Sequence, residues 1–485
     1  MKKLIIIPFL LYALSLVGQT TEFNSALRYS QNIYGGSARF TGLGGAFTAL
    51  GGDVSSISLN PAGLGVYSGS QIMFTPSFQF FQSNTKTLDY TKEDFKYNFN
   101  FHNIGWVTSY RPSNDSRLTI NFGIGYNQLN DYNKKSHANH LNRDRSLMTE
   151  FVNNANNGVI SGAYEDLAWQ TYMMNFDSTR NEYFSTVVDA LNYDTVPELG
   201  VVQRNIIDSK GSLGEYFFSI AVNYAHKLYI GASLGIQRVN YEVSQTHRET
   251  ERNDNIYDFH SFDFVENETH SGTGYNFKIG AIYKPTEYLR LGASVHTPTF
   301  FDLKYEWHNT MSSNFDNGDA YSQSSQTRSY TYQMTSPFRI NAGLALQSSK
   351  IGLISVDYEM VDYSFMQLKE GEDDYQFISE NDSIETTFQV AHNIRAGAEI
   401  KLNKFYLRGG FALYQSPYKE EFNQVQSNTQ VYSGGFGYRN KSFFIDFTYS
   451  RRVWNEEKQV FSTLSNLTDS EFNQNKFILS TGFRF

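Results

Sequence analysis

Apolar and polar residues alternate with a period of two through most of the chain after residue 70. The clearest case is the segment 476–485, where Phe477, Leu479, Phe483 and Phe485 occupy odd positions and the even positions are mostly polar. Successive side chains of a strand point to opposite faces, so this period predicts β-strands. Fourteen such segments follow one another, at 70–83, 97–110, 116–129, 215–226, 228–245, 270–284, 287–308, 327–347, 350–369, 385–401, 404–416, 429–440, 442–457 and 472–485.

The connections between these segments alternate in length. Short joints such as 111–115 separate the long connections, which are 84–96, 130–214, 246–269, 309–326, 370–384, 417–428 and 458–471. A transmembrane barrel has short turns at one end and long loops at the other, and its tilted strands need roughly 9–11 residues to cross the bilayer. The pattern predicts an all-β fold, a transmembrane antiparallel β-barrel of about 14 strands with both chain ends on the short-turn side.

The longest connection, 130–214, carries apolar residues at helical spacing, among them Leu147, Phe151, Leu167 and Tyr172. This spacing predicts short amphipathic helices. Because a loop of this length is usually functional or disordered, and the apolar spacing favours order, we expect an ordered and functional insertion.

The N-terminus has a different character. Lys2 and Lys3 precede an apolar run over residues 4–17, which is too short for a stable membrane-spanning helix and has the layout of a secretory signal. We predict a signal peptide at 1–18; an N-terminal membrane anchor is the alternative. Residues 19–69 are small and glycine-rich, which allows backbone to pack against backbone. We expect this segment to occupy a confined space, and residues 70–485 to form the barrel.

The composition narrows the functional classes. Aromatic residues make up 16% of the chain while the mean hydropathy is −0.45, which fits alternating strands better than a bundle of membrane helices. The net charge of −9 and the lack of a basic stripe argue against nucleic acid as a partner. The absence of cysteine excludes disulfides and thiolate metal sites. Aromatic residues at strand ends fit interfacial girdles, namely Trp106, Tyr110, Tyr126 and Trp454.

Signs of catalytic chemistry are sparse. Gly42, Gly44 and Gly45 form a glycine cluster, but the spacing of a phosphate-binding loop is incomplete. The ten histidines show no spacing typical of a metal site on a helix, and no nucleophile can be paired with a base. We expect no enzymatic activity, no metal and no cofactor.

Several motifs stand out in the glycine-rich segment and again in the barrel. The first group comprises Tyr-Gly-Gly-Ser-Ala-Arg at 34–39, Gly-Leu-Gly-Gly-Ala-Phe-Thr-Ala at 42–49 and Asn-Pro-Ala-Gly-Leu at 60–64. The second comprises Thr-Ser-Pro-Phe-Arg at 335–339, Asp-Tyr-Glu at 357–359, Leu-Arg-Gly-Gly-Phe at 407–411 and the terminal Phe485. Together they resemble the FadL/TodX family of outer-membrane transporters for long-chain fatty acids and aromatic hydrocarbons, and the resemblance spans the whole mature chain.

The resemblance implies that residues 19–69 are a hatch that plugs the barrel lumen. Its signature residues are Asn60, Pro61, Ala62, Gly63, Gly42, Gly44 and Gly45. The implied function is passive uptake of a hydrophobic small molecule, such as a long-chain fatty acid. The ligand would land on an apolar groove formed by the extracellular loop 130–214, enter a pocket in the lumen and leave sideways through a gap in the wall near a kinked strand.

The same resemblance implies where the protein is located and which partners it has. We expect the outer membrane of a Gram-negative cell, with both termini periplasmic and with outer-membrane lipid and lipopolysaccharide around the wall. Phe485 is expected to be the signal for the barrel-assembly machinery.

Alternation places the arginines at 290, 339, 395, 408 and 484 on the lumen-facing side of their strands. Candidates to bind a carboxylate head group by charge-assisted hydrogen bonds are Arg39, Arg339, Arg395 and Arg408. The alternative is that the arginines pair with Glu399, Asp357 and Asp53 and hold hatch and wall together, because buried charges need partners.

Two other functions stay open. One is a structural or adhesive outer-membrane barrel that binds an extracellular partner through its loops, and the other is an outer-membrane enzyme. A glycine-rich plug favours uptake over adhesion. An apolar tunnel from loop 130–214 to the hatch would favour uptake, whereas a solidly packed lumen would favour the structural role.

Overall fold

The computed structural model describes residues 21–88, 90–112, 117–193, 199–369, 371, 375–422, 425–463 and 467–485. The predicted signal peptide at 1–18 and part of the predicted turn 111–115 lie outside these residues.

Each of the fourteen predicted segments contains a strand or an interrupted strand, but the prediction for 385–387 is wrong, because these residues end the helix Ile378–Thr387. The strands are β1 (Gln71–Lys86), β2 (Thr91–Tyr110), β3 (Leu118–Asp131), β4 (Lys134–Asn142), β5 (Asn175–Asp177), β6 (Glu182–Phe184), β7 (Val201–Tyr224), β8 (Leu228–Glu251), β9 (Ser261–Tyr283), β10 (Leu289–His296), β11 (Phe300–Asn314), β12 (Ala320–Ser324), β13 (Arg328–Thr335), β14 (Arg339–Ser348), β15 (Gly352–Asp362), β16 (Gln367–Lys369), β17 (Val390–Leu402), β18 (Phe405–Tyr414), β19 (Thr429–Arg439), β20 (Phe443–Lys458) and β21 (Thr468–Arg484).

The strands close into an antiparallel barrel of 14 wall strands, because β21 pairs with β1 along its length. All strands except β4, β5, β6 and β12 belong to the wall. Three wall strands consist of two pieces each, namely β10 with β11, β13 with β14, and β15 with β16. The predicted barrel and its strand number are thereby confirmed.

Helices lie at the N-terminus and in the long connections. They are α1 (Thr21–Ser30), α2 (Ala38–Gly42), α3 (Leu147–Asn156), α4 (Glu165–Gln170), α5 (Thr186–Tyr193) and α6 (Ile378–Thr387), with 3₁₀ turns at Val54–Ser58, Pro61–Val66, Tyr363–Phe365 and Glu420–Phe422. The helices predicted in the longest connection are therefore present as α3, α4 and α5. Among the helices of the described segments, none is both long enough and apolar enough to cross a bilayer.

An apolar belt surrounds the wall toward its short-turn end. In β7, the exposed side chains of Tyr216, Phe218, Ile220 and Tyr224 alternate with buried residues such as Phe217. Exposed aromatic and aliphatic residues recur in this way on the neighbouring wall strands. The belt in β7 spans nine positions, 216–224, which is close to the length that a tilted strand needs to cross the membrane.

Strand ends differ from the predicted ones beyond this belt. β1 and β2 pair as far as Lys86 and Thr91, so the predicted long loop 84–96 is a tight connection. β7 begins at Val201, so the connection predicted at 130–214 runs from 132 to 200 and contains β4. Polar residues continue the backbone ladder into water, where hydrophobic alternation no longer marks a strand.

The predicted girdle is only partly observed. Trp106 and Tyr110 are exposed on the outer face, and Tyr126 is half-buried beside Tyr216. The girdle position predicted for Trp454 is wrong. This side chain is buried in the lumen against Phe81 and Phe472. Its even position in β20 places it on the same inner face as Asp446 and Thr448.

Two apolar clusters lie toward the long-loop end. The first fills the lumen, where α1 packs against α6 and the inner faces of β8, β11 and β13; Phe23 stacks on Phe388 with ring centroids 5.1 Å apart. The second, here called the loop core, joins α3, α4 and α5 to the outer ends of β9 and β11. Hence the described part of the long insertion forms an ordered layer with its own interior.

Candidate functional site

The segment 21–70, called the hatch below, lies within the barrel. Its Asn-Pro-Ala motif binds it to the wall. The side-chain amide of Asn60 donates to the carbonyl of Thr48, 2.7 Å away, and to that of Ala281 in β9, at 3.3 Å. Asn60 Oδ1 accepts from the amide of Ala62 at 3.0 Å, and Pro61 begins the 3₁₀ turn that this bond caps. The motif therefore joins two parts of the hatch and one wall strand.

The glycines of the motif region permit close approach of backbones. Gly44 and Gly45 have φ angles of +64° and +77°, a conformation that disfavours other residues. A Cβ atom on Gly42 would lie 2.8 Å from Thr448 Oγ1, and one on Gly63 would lie 3.0 Å from the Cα atom of Gly51. Side chains at these positions would push the hatch away from the wall or unfold it locally.

Polar side chains of the wall bind the backbone of the hatch. The amide of Ala38 donates to Ser480 Oγ at 2.7 Å, and the amide of Thr48 donates to Asp357 Oδ2 at 2.7 Å. On other wall strands, Asn121 Nδ2 donates to the carbonyl of Leu64 at 2.7 Å, and Ser294 Oγ donates to that of Leu59 at the same distance. The lumen thus satisfies hatch backbone groups that water would otherwise bind.

A chain of ion pairs crosses the hatch–wall boundary on one side. Arg39 Nε lies 3.2 Å from Glu399 Oε2, and Arg408 Nε lies 2.6 Å from the same oxygen. Arg408 also contacts Asp446 at 2.8 Å, and Asp446 in turn contacts Arg439. Two of the four arginines predicted to bind ligand are therefore already paired with carboxylates.

The other two predicted arginines share one carboxylate. Arg339 Nη1 lies 3.4 Å from Glu359 Oε1 and Arg395 Nη1 lies 3.2 Å from Glu359 Oε2, with all three side chains buried. Arg339 also donates to the backbone carbonyl of Ser30 in the hatch. Glu359 was not among the partners expected from the sequence.

The expected carboxylate partners behave differently from one another. Glu399 binds arginine as expected, while Asp357 accepts the amide of Thr48. Asp53 accepts from Ser37 Oγ at 2.7 Å and from the amide of Ser55 at 3.0 Å, so it binds within the hatch. Two further arginines were predicted to face the lumen. Arg290 donates to the backbone carbonyl of Leu50, and Arg484 donates to Gln71 Oε1. These contacts favour the anchoring role, and ligand binding by the predicted arginines stays a prediction.

A cavity of about 40 Å³ lies between hatch and wall. Three cationic side chains, from Arg395, Arg452 and Lys476, line it together with aromatic and aliphatic residues of both parts. Arg395 is paired with Glu359, and Lys476 Nζ lies 3.9 Å from Asp131 Oδ2.

Arg452 differs from the other two cations of this cavity. Within the described segments no carboxylate lies within ion-pair distance of its guanidinium, which instead stacks on Trp454 at 4.2 Å from the ring centroid, and its Nε atom is buried without a hydrogen-bond partner. The sequence prediction omitted Arg452 and Lys476. Strand parity could have found them, because both occupy the polar face of β20 or β21.

The wall has an interruption beside the hatch. β10 pairs with β14 up to His296 and Arg339, and β11 resumes pairing with β13 at Phe300 and Thr335. Pro298 and Pro337 lie in the two gaps between these paired pieces. Proline has no backbone N–H and cannot donate a hydrogen bond to a neighbouring strand. A cavity of about 10 Å³ lies on the lumen side of this point. The predicted unbroken segments 287–308 and 327–347 are therefore each divided in two.

Exposed aromatic residues mark the surface of the long insertion. The ring of Tyr183 lies 6.1 Å from that of Trp169 and 5.1 Å from that of Phe176, and the latter two are exposed. Most other apolar residues of the insertion point into the loop core. Val159, Ile160 and Tyr172 are also exposed on the insertion. The rings of Trp169, Phe176 and Tyr183 form an aromatic cluster on this surface that an apolar molecule could contact.

A serine-hydrolase pattern that the sequence reading passed over occurs in β8. Gly231, Ser233 and Gly235 have the spacing Gly-x-Ser-x-Gly. They lie within a regular strand rather than at a strand-to-helix turn, and Ser233 Oγ accepts from Ser219 Oγ at 2.6 Å. This serine lacks the geometry of a nucleophile elbow.

Sequence comparison identifies the family. The family described as outer membrane protein transport protein (OMPP1/FadL/TodX) matches residues 215–481, which is more than half of the chain. The chain belongs to this family of outer-membrane proteins. An uncharacterised protein family (UPF0164) matches residues 13–120, which include the hatch motifs. No curated protein matches the chain.

Solved structures show the same fold at low sequence identity. A FadL homologue of Pseudomonas aeruginosa is 13% identical with a TM-score of 0.57, and the match covers 94% of this chain and 100% of that one. The toluene transporter TbuX of Ralstonia pickettii is 16% identical with a TM-score of 0.51, covering 93% and 98%. The toluene transporter TodX of P. putida is 13% identical with a TM-score of 0.53, covering 93% and 99%.

Proposed function

We propose that the protein carries hydrophobic small molecules with an anionic head group, such as long-chain fatty acids, passively across the outer membrane. The observation that supports this most is the cavity between hatch and wall. Its lining combines apolar side chains with Arg452, which lacks a carboxylate partner within the described residues. A carboxylate head group would supply that partner through charge-assisted hydrogen bonds.

Passage in this proposal requires movement of the hatch. The cavity of about 40 Å³ is far below the roughly 300–1,000 Å³ typical of ligand pockets. Since bonds to the wall hold the hatch backbone, a ligand enters only after some of them break. The aromatic cluster of Trp169, Phe176 and Tyr183 is the proposed landing surface, and the interruption between β10 and β11 is the proposed exit into the membrane.

The proposed orientation follows from the loops. Outer-membrane barrels direct long loops outward and short turns to the periplasm. Ser70 and Phe485 exchange backbone hydrogen bonds of 2.9 and 3.0 Å at the short-turn end, which we assign to the periplasm together with the C-terminus. The expected periplasmic position of the N-terminal side is not supported, because α1 packs in the lumen toward the long-loop end, where Phe23 stacks on Phe388. Phe485 is exposed there, where the assembly machinery can reach it, and lipid and lipopolysaccharide surround the belt.

Binding to purified protein in detergent tests the head-group role. The affinity for oleate is measured by its displacement of a bound fluorescent fatty acid. We expect the double variant Arg452→Gln with Lys476→Gln to bind oleate about tenfold more weakly or worse, because a hydrogen bond to a charged group contributes roughly 1.5–3 kcal/mol. Toluene binding should be unchanged. Arg451→Gln is the matched control, because Arg451 is the exposed neighbour on the opposite face of β20. Undiminished oleate binding by the double variant would contradict the proposal.

A structural or adhesive role is the second candidate, and the small cavity together with the ordered loop core favours it. In that case, neither oleate nor toluene binds the purified barrel, and removal of the exposed rings of Trp169 and Phe176 abolishes attachment to an extracellular partner.

A further inference from the structure

Three potential metal ligands meet at the rim of the long-loop end. Glu251 is the last residue of β8, and His260 immediately precedes β9. Asp316 lies in the connection from β11 to β12, over fifty positions further along the chain. One donor atom from each of these residues lies within 4.8 Å of the other two. Their separation in sequence hides this group from a search for metal-ligand spacing.

Backbone hydrogen bonds fix the three residues before any ion binds. The amide of Glu251 donates to the carbonyl of His260 at 3.1 Å, and the amide of His260 donates to that of Asn314 at 3.2 Å. The turn that carries Asp316 is closed by the amide of Phe315, which donates to the carbonyl of Asp319 at 3.0 Å. The backbone that carries the three side chains is therefore held at three neighbouring strand ends.

Glu251 points an unsatisfied oxygen into this group. Its side chain is 4% exposed, and Oε2 accepts from the amide of Ile256 at 3.3 Å. Its other oxygen, Oε1, is buried with no hydrogen-bond partner among the described residues and lies 3.7 Å from His260 Nδ1. A buried carboxylate oxygen without a partner is costly, so a cation at this point would remove a penalty.

The local charge is unfavourable without a cation. Two further carboxylates, those of Asp254 and Asp316, lie within electrostatic range of Glu251 at the loop rim. A divalent ion would balance the charges of Glu251 and Asp316. Donors of a tetrahedral zinc site at roughly 2.0–2.1 Å from the metal lie about 3.4 Å apart. The 3.7 Å between Glu251 Oε1 and His260 Nδ1 is close to this value, and the Asp316 oxygen lies within 4.8 Å of both atoms.

We propose that Glu251 Oε1, His260 Nδ1 and a carboxylate oxygen of Asp316 bind one divalent transition-metal ion of the Zn²⁺ class, with water completing the coordination. The imidazole nitrogen favours this class over Ca²⁺ and Mg²⁺, which take oxygen ligands. His260 and Asp316 are exposed, so the ion can enter from solvent.

The ion would fasten two connections over the loop core. The connection 252–260 contributes Ile256 and Phe259 to that core, and both are buried. The ion would link its ends to the turn at Asp316, which follows Met311 of the same core. Bound metal should therefore protect this rim from local opening.

Metal binding to the whole protein tests the proposal. The protein is purified in detergent without a polyhistidine tag, treated with chelator and titrated calorimetrically with Zn²⁺ and, separately, with Ca²⁺. We expect one Zn²⁺ per chain, and an affinity that falls by about tenfold or more in Asp316→Asn and His260→Ala. Zinc should also slow proteolysis within 252–260 in the parent protein and not in the variants.

Two control variants remove the same kinds of side chain at positions outside the proposed metal site. Asp319→Asn changes a carboxylate in the same turn, and His392→Ala removes an exposed histidine from β17. Both should bind Zn²⁺ like the parent. No zinc binding by the parent, equal binding by Asp316→Asn, or tighter binding of Ca²⁺ than of Zn²⁺ would overturn the assignment. Because Asp316 is exposed, its variant should fold, which heat-dependent gel mobility can check.

Discussion

Asn60 of the hatch and Gly280 of β9 pack so closely that a Cβ atom on Gly280 would overlap the side-chain oxygen of Asn60. That oxygen accepts the amide of Ala62, so it cannot turn aside without breaking the cap of the 3₁₀ turn. The absence of one side chain in the wall thus permits the hatch motif to dock. Gly231 of β8 has the same relationship with Pro61.

Substitution of Gly280 should loosen the hatch. We expect Gly280→Ala to destabilise hatch docking by about 1–3 kcal/mol, because overpacking forces the backbone to shift. In planar bilayers, this variant should show channel openings that the parent lacks. Gly409→Ala is the matched control, because a Cβ atom there meets nothing within 4 Å. Equal conductance in the two variants would show that this contact does not hold the hatch.

The ion pairs around Glu399 should contribute to stability far more than surface pairs. Glu399→Ala leaves Arg39 and Arg408 buried with one carboxylate fewer, and loss of one partner of a buried pair costs roughly 3–5 kcal/mol. Unfolding by guanidinium in detergent measures the change. Glu306→Ala is the control, because its pair with Lys304 is exposed and should contribute about 1 kcal/mol or less. Similar losses in both variants would contradict a structural role for the network.

The position of the membrane can be tested in β7. Ile220 is exposed in the middle of the belt, and arginine on a lipid-facing surface costs about 2–4 kcal/mol at the bilayer centre. We expect Ile220→Arg to lower the free energy of unfolding in phospholipid vesicles by that amount. Val159→Arg adds the same charge at an exposed loop position and should change stability by about 0.5 kcal/mol or less. Tolerance of arginine at 220 would place the belt outside the bilayer.

Period-two alternation predicted the barrel well because lipid on one side and a polar lumen on the other impose that pattern on every wall strand. The same parity was available for Trp454 and Arg452, but an aromatic residue near a strand end suggested a girdle, and Arg452 was passed over. Outside the membrane the alternation of apolar and polar residues is lost. The sequence therefore predicted the start of β7 near residue 215, whereas the strand begins at Val201.

The partners within the site depend on register between distant strands. Arg39 and Glu399 are separated by 360 positions, and only the closed barrel brings them together. The sequence identified the glycine-rich hatch because small residues are needed wherever two backbones touch. It could not show that Glu359 serves both Arg339 and Arg395, because that contact requires three neighbouring strands in their observed register.

The proposed lateral exit lies where Thr299 and Ser336 bridge the interrupted wall. The amide of Ser336 donates to the carbonyl of Thr299, and the amide of Thr299 donates to Ser336 Oγ, both at 2.9 Å. The chain has no cysteine, so Thr299→Cys with Ser336→Cys introduces a single pair of thiols. We expect oxidation of this pair to slow fatty-acid uptake by cells that express the variant as their sole transporter, and reduction to restore it.

A second cysteine pair separates closure of the exit from a general effect of crosslinking. Ser219 of β7 and Ser233 of β8 are direct cross-strand partners in an unbroken part of the wall. Because their ladder is complete, a disulfide between Ser219→Cys and Ser233→Cys should leave uptake unchanged. If ligand instead left through the short-turn end of the lumen, neither disulfide would slow uptake. Equal inhibition by both would point to stiffening of the whole barrel, and in either case the exit at Pro298 and Pro337 would have to be abandoned.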